Sequence, residues 1–399
     1  MRVLNSLSEI NISRILRLIW IEKKISRVDI ASRLAMDKST VTKITSELAL
    51  HGLIREAESV DSGPQGGRKP VFLELENDFA CAGGIEIGPE KFSCSLLDLN
   101  GESFFEYSEN IDIEEYARLG LLGYFEKAFR IINKYANDKK KYLAGIGVGL
   151  PALIDIKTGK IIQSIPLMIY EPVEFIKAAE ELTNLPVFFE NDARCCCYTE
   201  RMLWKDYSRE KNMMYVMVQH RPQQPVKKSP KNISVGFGFV LNGKIYHGAN
   251  ATAGEFRSML WNPSSQNQFV NGTDCIDKIS EAEKVTPIFQ ELAKNVAFLV
   301  NTLNLDIVYV GGIDKIYAEE IVKYIREEIV YLWPYEWNKT SMVATGMISD
   351  KVVSTGASIL VLDKLFSVPE LSGEDNCSTE FYKNMSAYKW LLNARLFKN

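Results

Sequence analysis

Histidine is nearly missing from this chain: His51, His220 and His247 are the three in 399 residues. None of the seven cysteines forms a C-x-x-C pair, so a structural zinc site or a His-rich catalytic metal centre has little to be built from. Nor do the cysteines have the spacing of a disulfide framework. Three are contiguous, Cys195, Cys196 and Cys197, and they read as reduced thiols. No apolar run reaches the roughly 18 residues that cross a bilayer, and Met1 to Arg14 lacks the apolar stretch of a signal peptide. These absences lead us to expect a cytoplasmic protein with no membrane partner, no metal and no cofactor.

What is present is the apolar material of an ordinary globular protein. Hydrophobic residues make up 46% and charged residues 25%, which supports more than one buried core and excludes disorder. At roughly 150 residues per domain, the length argues for two or three domains. The net charge of −4 hides an asymmetry. Residues 1–55 hold ten Lys and Arg against five Asp and Glu, a net of +5, so the remainder carries −9. A basic head on an acidic body points either to a nucleic-acid partner or to a solvated basic helix face.

The head carries a helix pattern. From Ser8, placed to cap a helix, Ile12, Ile15, Leu16, Ile19 and Trp20 recur at three- and four-residue steps. Ser26 is placed to cap a second helix, Arg27 to Leu34, burying Val28, Ile30, Ala31 and Leu34, before a turn at Ala35 to Asp37. A third helix is expected over Lys38 to Leu50 with Val41, Ile44, Thr45 and Leu48 inside. At about 100° per residue, Ser39, Thr42, Lys43 and Ser46 fall on its other side. That small, polar, cationic face suits a major groove about 12 Å wide. Gly52 then stops the helix, and the run from Gly63 to Pro70 before a strand at Val71 to Leu75 reads as a wing hairpin, with Arg68 and Lys69 able to reach phosphate or the minor groove. The candidate DNA-contacting residues are therefore Arg27, Lys38, Ser39, Thr40, Thr42, Lys43, Ser46, Arg68 and Lys69.

After Asn77 the pattern becomes α/β. Strands are expected at Cys81 to Ile87, Phe92 to Asp98, Leu143 to Leu150 and Val187 to Phe189, with helices over Ile113 to Ala136 and Phe175 to Leu182, and a second series from Met213. Three strand ends bear chemistry. Glu190-Asn191-Asp192 places an amide and carboxylates where they can grip hydroxyls, or where they cap a helix. Gly236-Phe237-Gly238 and the loop Gly248 to Glu255 form a second group, and Val308 to Gly312 ends a strand in glycine, for a ligand or for tight packing. The segment His220 to Lys231 reads as a surface loop, the cysteine triplet as core filling, and Phe381 to Phe397 as an amphipathic helix that docks on the first lobe or on a partner subunit.

In this order the segments resemble the ROK family, which groups sugar kinases with sugar-responsive transcriptional repressors. The resemblance covers about Asn5 to Phe366. Ser26-Arg27, Lys38-Ser39-Thr40-Val41 and Gly66-Gly67-Arg68-Lys69-Pro70 carry the repressor branch; Gly147-Val148-Gly149-Leu150-Pro151, Glu190-Asn191-Asp192-Ala193 and Ala253-Gly254-Glu255 carry the body. It implies an N-terminal winged helix-turn-helix followed by a two-lobed actin-like (ribonuclease H-like) ATPase/sugar-kinase fold, with sugar held near the hinge. The expected domains are 1–76 for the head, 77–190 for the first lobe, completed by C-terminal helices in 355–399, and 191–354 for the second lobe.

Departures from the family's pattern narrow the function. The D-x-G-G-T phosphate hairpin of the kinases reads Glu86-Ile87-Gly88-Pro89-Glu90 here. Proline offers no N–H and Glu90 sets a negative charge beside phosphate, so the chain is expected not to be an enzyme, although Asp192, which resembles the kinase base, remains. G-E-I-G-H and the cysteine cluster of the family's zinc site are replaced by Gly254-Glu255-Phe256-Arg257-Ser258 and a cysteine-free stretch from Met259 to Thr273, so no zinc is expected. Pro166 to Tyr170 stands in place of the family's P-N-L segment, without its amide. Ligand-binding candidates are Gly149, Asn191, Asp192, Glu255 and Arg257; Arg257 suits an anionic effector such as a sugar phosphate, or an internal salt bridge. The expected function is a sequence-specific DNA-binding regulator, a repressor, with an operator duplex and a sugar or sugar-derived effector as partners and a homodimer or higher homo-oligomer as its assembly. The competing readings are an active sugar kinase with a DNA-binding head and a repressor whose pocket has decayed.

Overall fold

Apolar residues at helical spacing wind Leu7–Glu22 into α1, burying Ile12, Ile15, Leu16, Ile19 and Trp20. Ser8 lies inside this helix and is exposed, so it does not cap it. The computed structural model describes residues 7–57, 71–203, 212–221, 232–265, 267–270, 282–336, 341–347, 349–368 and 389–392. A two-residue strand β1 (Ile25–Ser26) leads into α2 (Arg27–Leu34). Ser26 caps α2 as expected, its hydroxyl accepting from the Asp29 N–H at 3.1 Å. Val28, expected inside, is 59% exposed, because eight residues bury little more than Ile30 and Ala31. Ala35 turns the chain with φ 50° into α3 (Lys38–Leu50), which buries the four expected residues. Then β2 (Ile54–Ala57) and β3 (Phe72–Leu75) pair antiparallel, with β3 central in the order β1-β3-β2. Three helices and this small sheet make a winged helix-turn-helix; Arg68 and Lys69, expected on its wing, lie outside the described residues.

The chain divides into two compact units, Met1–Glu190 with Ser354–Asn399, and Asn191–Val353. In the first, β4 (Cys81–Ile87), β5 (Lys91–Asp98) and β6 (Ser103–Asn110) form an antiparallel meander. The long α4 (Ile113–Asp138), bent at Gly120, is followed by β7 (Leu143–Leu150), which runs parallel to β4. A small sheet of β8 (Leu153–Asp155), β9 (Lys160–Gln163) and β10 (Val173–Glu174) precedes α5 (Ile176–Thr183) and β11 (Val187–Asn191). The main sheet is ordered β11-β7-β4-β5-β6. Its core joins Ile85, Phe92, Tyr124, Phe125, Val148 and Phe189.

The second unit begins with α6 (Asp192–Leu203), followed by β12 (Met213–Arg221), β13 (Asn232–Leu241), β14 (Lys244–Ile245), α7 (Ala282–Leu303), β15 (Ile307–Gly311), α8 (Lys315–Tyr331) and β16 (Met342–Thr345). Its sheet is ordered β14-β13-β12-β15-β16, antiparallel at β12–β13 and parallel at β12–β15 and β15–β16. The core gathers Val216, Phe237, Phe289, Val300, Val308 and Ile325. Most of the expected loop, residues 222–231, lies outside the described residues, while His220 and Arg221 belong to β12. Cys195, Cys196 and Cys197 are wholly buried on α6, as core filling requires.

The last helix, α9 (Val352–Leu365), returns to the first unit. An ideal Cβ on Gly147 would stand 1.9 Å from the Ala357 carbonyl oxygen, and one on Gly84 would stand 1.9 Å from that of Ser354, so α9 lies flush on β4 and β7. Its far end holds the head. Arg17 reaches Asp363 at 3.4 Å and the Phe366 carbonyl at 3.3 Å, and Trp20 stacks on Phe366 with centroids 5.3 Å apart. Lys23 donates to the Asn100 carbonyl at 2.7 Å. Of the amphipathic tail, residues 389–392 are described: Leu391 is buried, Trp390 Nε1 donates to the Ala144 carbonyl, and Lys389 pairs with Glu9. This segment docks on the first unit.

Candidate nucleic-acid face and ligand site

Most of the head's positive charge is already used. Arg33 pairs with Glu22, Arg55 with Glu74, Lys24 with Glu74 and Arg17 with Asp363. Arg14 donates to the Leu34 carbonyl. Arg27, an expected DNA contact, donates to Thr45 Oγ1 at 3.1 Å and pairs with Glu56 at 3.2 Å, so its guanidinium braces α2 against α3 and the wing. Among the described residues of the head, the two cations whose side chains make no ion pair or hydrogen bond are Lys38 and Lys43. Both are exposed on α3, with Ser39, Thr42 and Ser46 exposed beside them and Thr40 half-buried. Among the described residues, the fold spends the head's other cations on structure and leaves these two on the helix face that the spacing singled out.

The second unit builds a different site at the start of α6. Asn191 Oδ1 accepts from the N–H groups of Ala193 at 3.0 Å and Arg194 at 3.4 Å, and Asp192 Oδ1 accepts from Ala193 at 2.9 Å. Asn191 caps the helix, and Asp192 stands in its first turn, where the amino end favours the negative charge. Arg194, not singled out in the sequence, is buried and donates to the Ala253 carbonyl at 3.0 Å. It pins the loop carrying Glu255 to α6. Gly254, with φ 99°, fixes that loop against β13: the Phe237 N–H donates to its carbonyl, and any Cβ would strike the Phe237 oxygen at 1.9 Å. The Glu255 carboxyl is pushed above its usual range, first by partial burial and then by the Asp192 charge, with Arg194 opposing. Asn191, Asp192 and Glu255 are thus brought to one place, a polar set able to accept from hydroxyls.

Arg257 is exposed and lies over the Trp261 ring, 4.2 Å from its centroid, in a cation–π contact. Gly149 belongs to the first unit, in register opposite Glu86. The hairpin that would cradle phosphate is built around the same residue: Glu86 is buried and accepts from Ser93 Oγ at 2.8 Å, and the Gly88 N–H donates to the Lys91 carbonyl. Residues 259–273 hold no cysteine, and among the described residues no group of three or more His, Cys, Asp or Glu could hold a metal ion. Likewise among the described residues, no helix is long and apolar enough to cross a membrane.

One charged group was invisible to sequence reasoning. Glu200, buried in the last turn of α6, accepts from the Met347 N–H, and burial pushes its carboxyl up to about 7. An ideal Cβ on Gly346 would lie 2.8 Å from its Oε1, so its environment depends on a residue far along the chain.

Comparison with known proteins matches the ROK family model to residues 82–281. A xylose repressor of Caldicellulosiruptor bescii is 23% identical over 417 residues, covering 91% of this chain and 98% of that protein. A solved ROK family transcriptional regulator, a homolog of the E. coli MLC protein, superposes with a TM-score of 0.65 at 18% identity, covering 98% of this chain and all of that one. A ROK hexokinase from Thermus thermophilus superposes with a TM-score of 0.53 at 17% identity over 70% of this chain. These likenesses give the fold: a winged helix-turn-helix followed by the two-lobed actin-like body shared with sugar kinases.

Proposed function

The chain belongs to the ROK family, and we propose that it is a sequence-specific DNA-binding repressor whose body binds a sugar or sugar-derived effector. The observation that carries this reading is the placement of Lys38 and Lys43, unpaired among the described residues, on the exposed face of α3, the helix that a helix-turn-helix sets in the major groove. Lys38 and Lys43 meet phosphate, Ser39, Thr40, Thr42 and Ser46 face the bases, and Arg68 and Lys69 of the wing reach the backbone or the minor groove; Arg27 holds this surface in shape. The nearly full-length similarity to a xylose repressor supports the same reading.

The working parts are the head at 1–76, a first lobe at 77–190 completed by 355–399, and a second lobe at 191–354. Asn191, Asp192 and Glu255 accept hydroxyls of the effector, and Arg257, held over the Trp261 ring, binds an anionic group such as a sugar phosphate; Gly149 is the first unit's own candidate for a close backbone approach. Two heads of a homodimer read half-sites a multiple of about 10.5 bp apart. Effector binding that favours one arrangement of the body lowers DNA affinity by the same coupling energy that DNA exerts on the effector. The body does not phosphorylate its ligand. Pro89 has no N–H for a phosphate, Glu90 repels one, and Glu86 is turned onto Ser93.

Three measurements test this reading. Selection from a random duplex pool followed by gel shift should yield a twofold-symmetric site with salt-dependent affinity; sequence-blind binding counts against it. Sugars, sugar phosphates and sugar acids should include one that raises the melting temperature of the chain but not of Asp192→Asn. ATP turnover with any hexose, lost in Asp192→Asn, would establish the kinase instead.

A further inference from the structure

The exposed face of α3 is divided by what its side chains still have to offer. The hydroxyls of Ser39 and Ser46 make no hydrogen bond among the described residues and remain available as donors. Thr42 differs. Its hydroxyl already donates to the Lys38 carbonyl one turn back, at 2.8 Å, although the residue is exposed. With the proton committed to the backbone, Thr42 has no hydrogen to give to guanine O6 or N7, or to a phosphate. What it presents is its methyl group and an oxygen lone pair, and it sits four residues from Lys38 and four from Ser46, midway along the face.

Only one kind of base pair complements that combination in an unmodified major groove. A T·A pair displays the thymine C5-methyl and, on the far side of the thymine O4 acceptor, the N6–H₂ donor of adenine; a C·G pair has the donor without the methyl, and the guanine edge has acceptors alone. We propose that Thr42 is a specificity-determining residue that reads a T·A pair in each half-site through the thymine methyl. The proposal rests on the DNA-binding reading above and adds to it the base that this residue selects.

The test uses the full chain and a duplex enriched from a random pool. Each thymine of the half-site is replaced in turn by deoxyuridine, which removes only the methyl, and Kd is read by fluorescence anisotropy. For the wild type, one uridine position per half-site should weaken binding about fourfold, the worth of one buried methyl. Replacing that thymine by cytosine should also weaken binding, and 5-methylcytosine should regain part of the loss. Thr42→Ser keeps the hydroxyl and should bind the thymine and uridine duplexes equally; Thr42→Val keeps the methyl and should retain the preference. If no position distinguishes Thr42→Ser from the wild type, the assignment of Thr42 is overturned while the repressor reading stands. If the pool yields no enriched sequence, both fall.

Discussion

Replacing Gly147 by alanine should unseat α9 from its sheet. The new Cβ would stand 1.9 Å from the Ala357 carbonyl oxygen, 2.6 Å from its carbon and 3.1 Å from its Cα, all of them backbone atoms that no rotamer change can move. An ordinary carbon–oxygen contact needs about 3.3 Å, so the helix must retreat by roughly 1.4 Å. It is also nested over Gly84, against which the Ser354 carbonyl leaves no slack. Overpacking of this kind costs about 1–3 kcal/mol, and the rigid neighbour argues for the upper end. At about 2–4 °C per kcal/mol for a unit of this size, the melting transition should fall by about 6–12 °C. Gly236→Ala is the control, since its Cβ would meet nothing closer than the Ala193 Cβ at 3.8 Å. Near-UV circular dichroism on heating reads both. A Gly147→Ala melt within 2 °C of the wild type, no lower than that of Gly236→Ala, would refute the argument that backbone contact fixes α9.

Three further outcomes are expected. Lys38→Ala and Lys43→Ala should each reduce the slope of log affinity against log salt by about 0.9, without lowering stability, because neither side chain is bonded among the described residues of the head; an unchanged slope would remove them from the phosphate contacts. The Glu200 carboxyl, raised from 4.5 to about 7 by burial, holds its proton more tightly folded than unfolded. Its contribution is therefore greatest below pH 4.5 and is lost as pH rises toward 7, by about 3 kcal/mol at about 1.4 kcal/mol per pH unit. Urea unfolding of Glu200→Gln at pH 5 and pH 8 should lack this loss, and pH dependences parallel to the wild type would contradict it. Asn191→Ala should uncap α6 and cost about 1 kcal/mol in chemical unfolding, in contrast to a surface substitution with no measurable effect.

The head was legible because its signals are local. Helical spacing marks α1 and α3, and Ser26 caps the helix that follows it. Where an eight-residue helix has room for a narrow buried stripe, the same pattern overreached and placed Val28 inside. The strand β6 gave no signal: as an edge strand rich in Ser, Glu and Asn it alternates exposed and half-buried positions, without a continuous apolar run. The strand ends at Asn191-Asp192 and Glu255 were visible as motifs, but the bond between them was not. Arg194 joins the two loops across 59 residues. Arg27 shows the same limit, since its charge read as a DNA contact while its pairing with Glu56, 29 residues along the chain, gave no signal. Partners of this kind are set by tertiary packing, which no spacing along the chain encodes.

The junction between α1 and α9 bears on how the protein can be dissected. The head is not a bead on a string: Trp20 covers Phe366, Arg17 holds Asp363, and Lys23 closes on the turn after β5. A fragment starting at residue 77 would strip that cover away, leaving an aromatic ring and an orphaned carboxylate facing water. Such a truncated body would be prone to self-association, and oligomer sizes measured on it would report the wound rather than the native assembly.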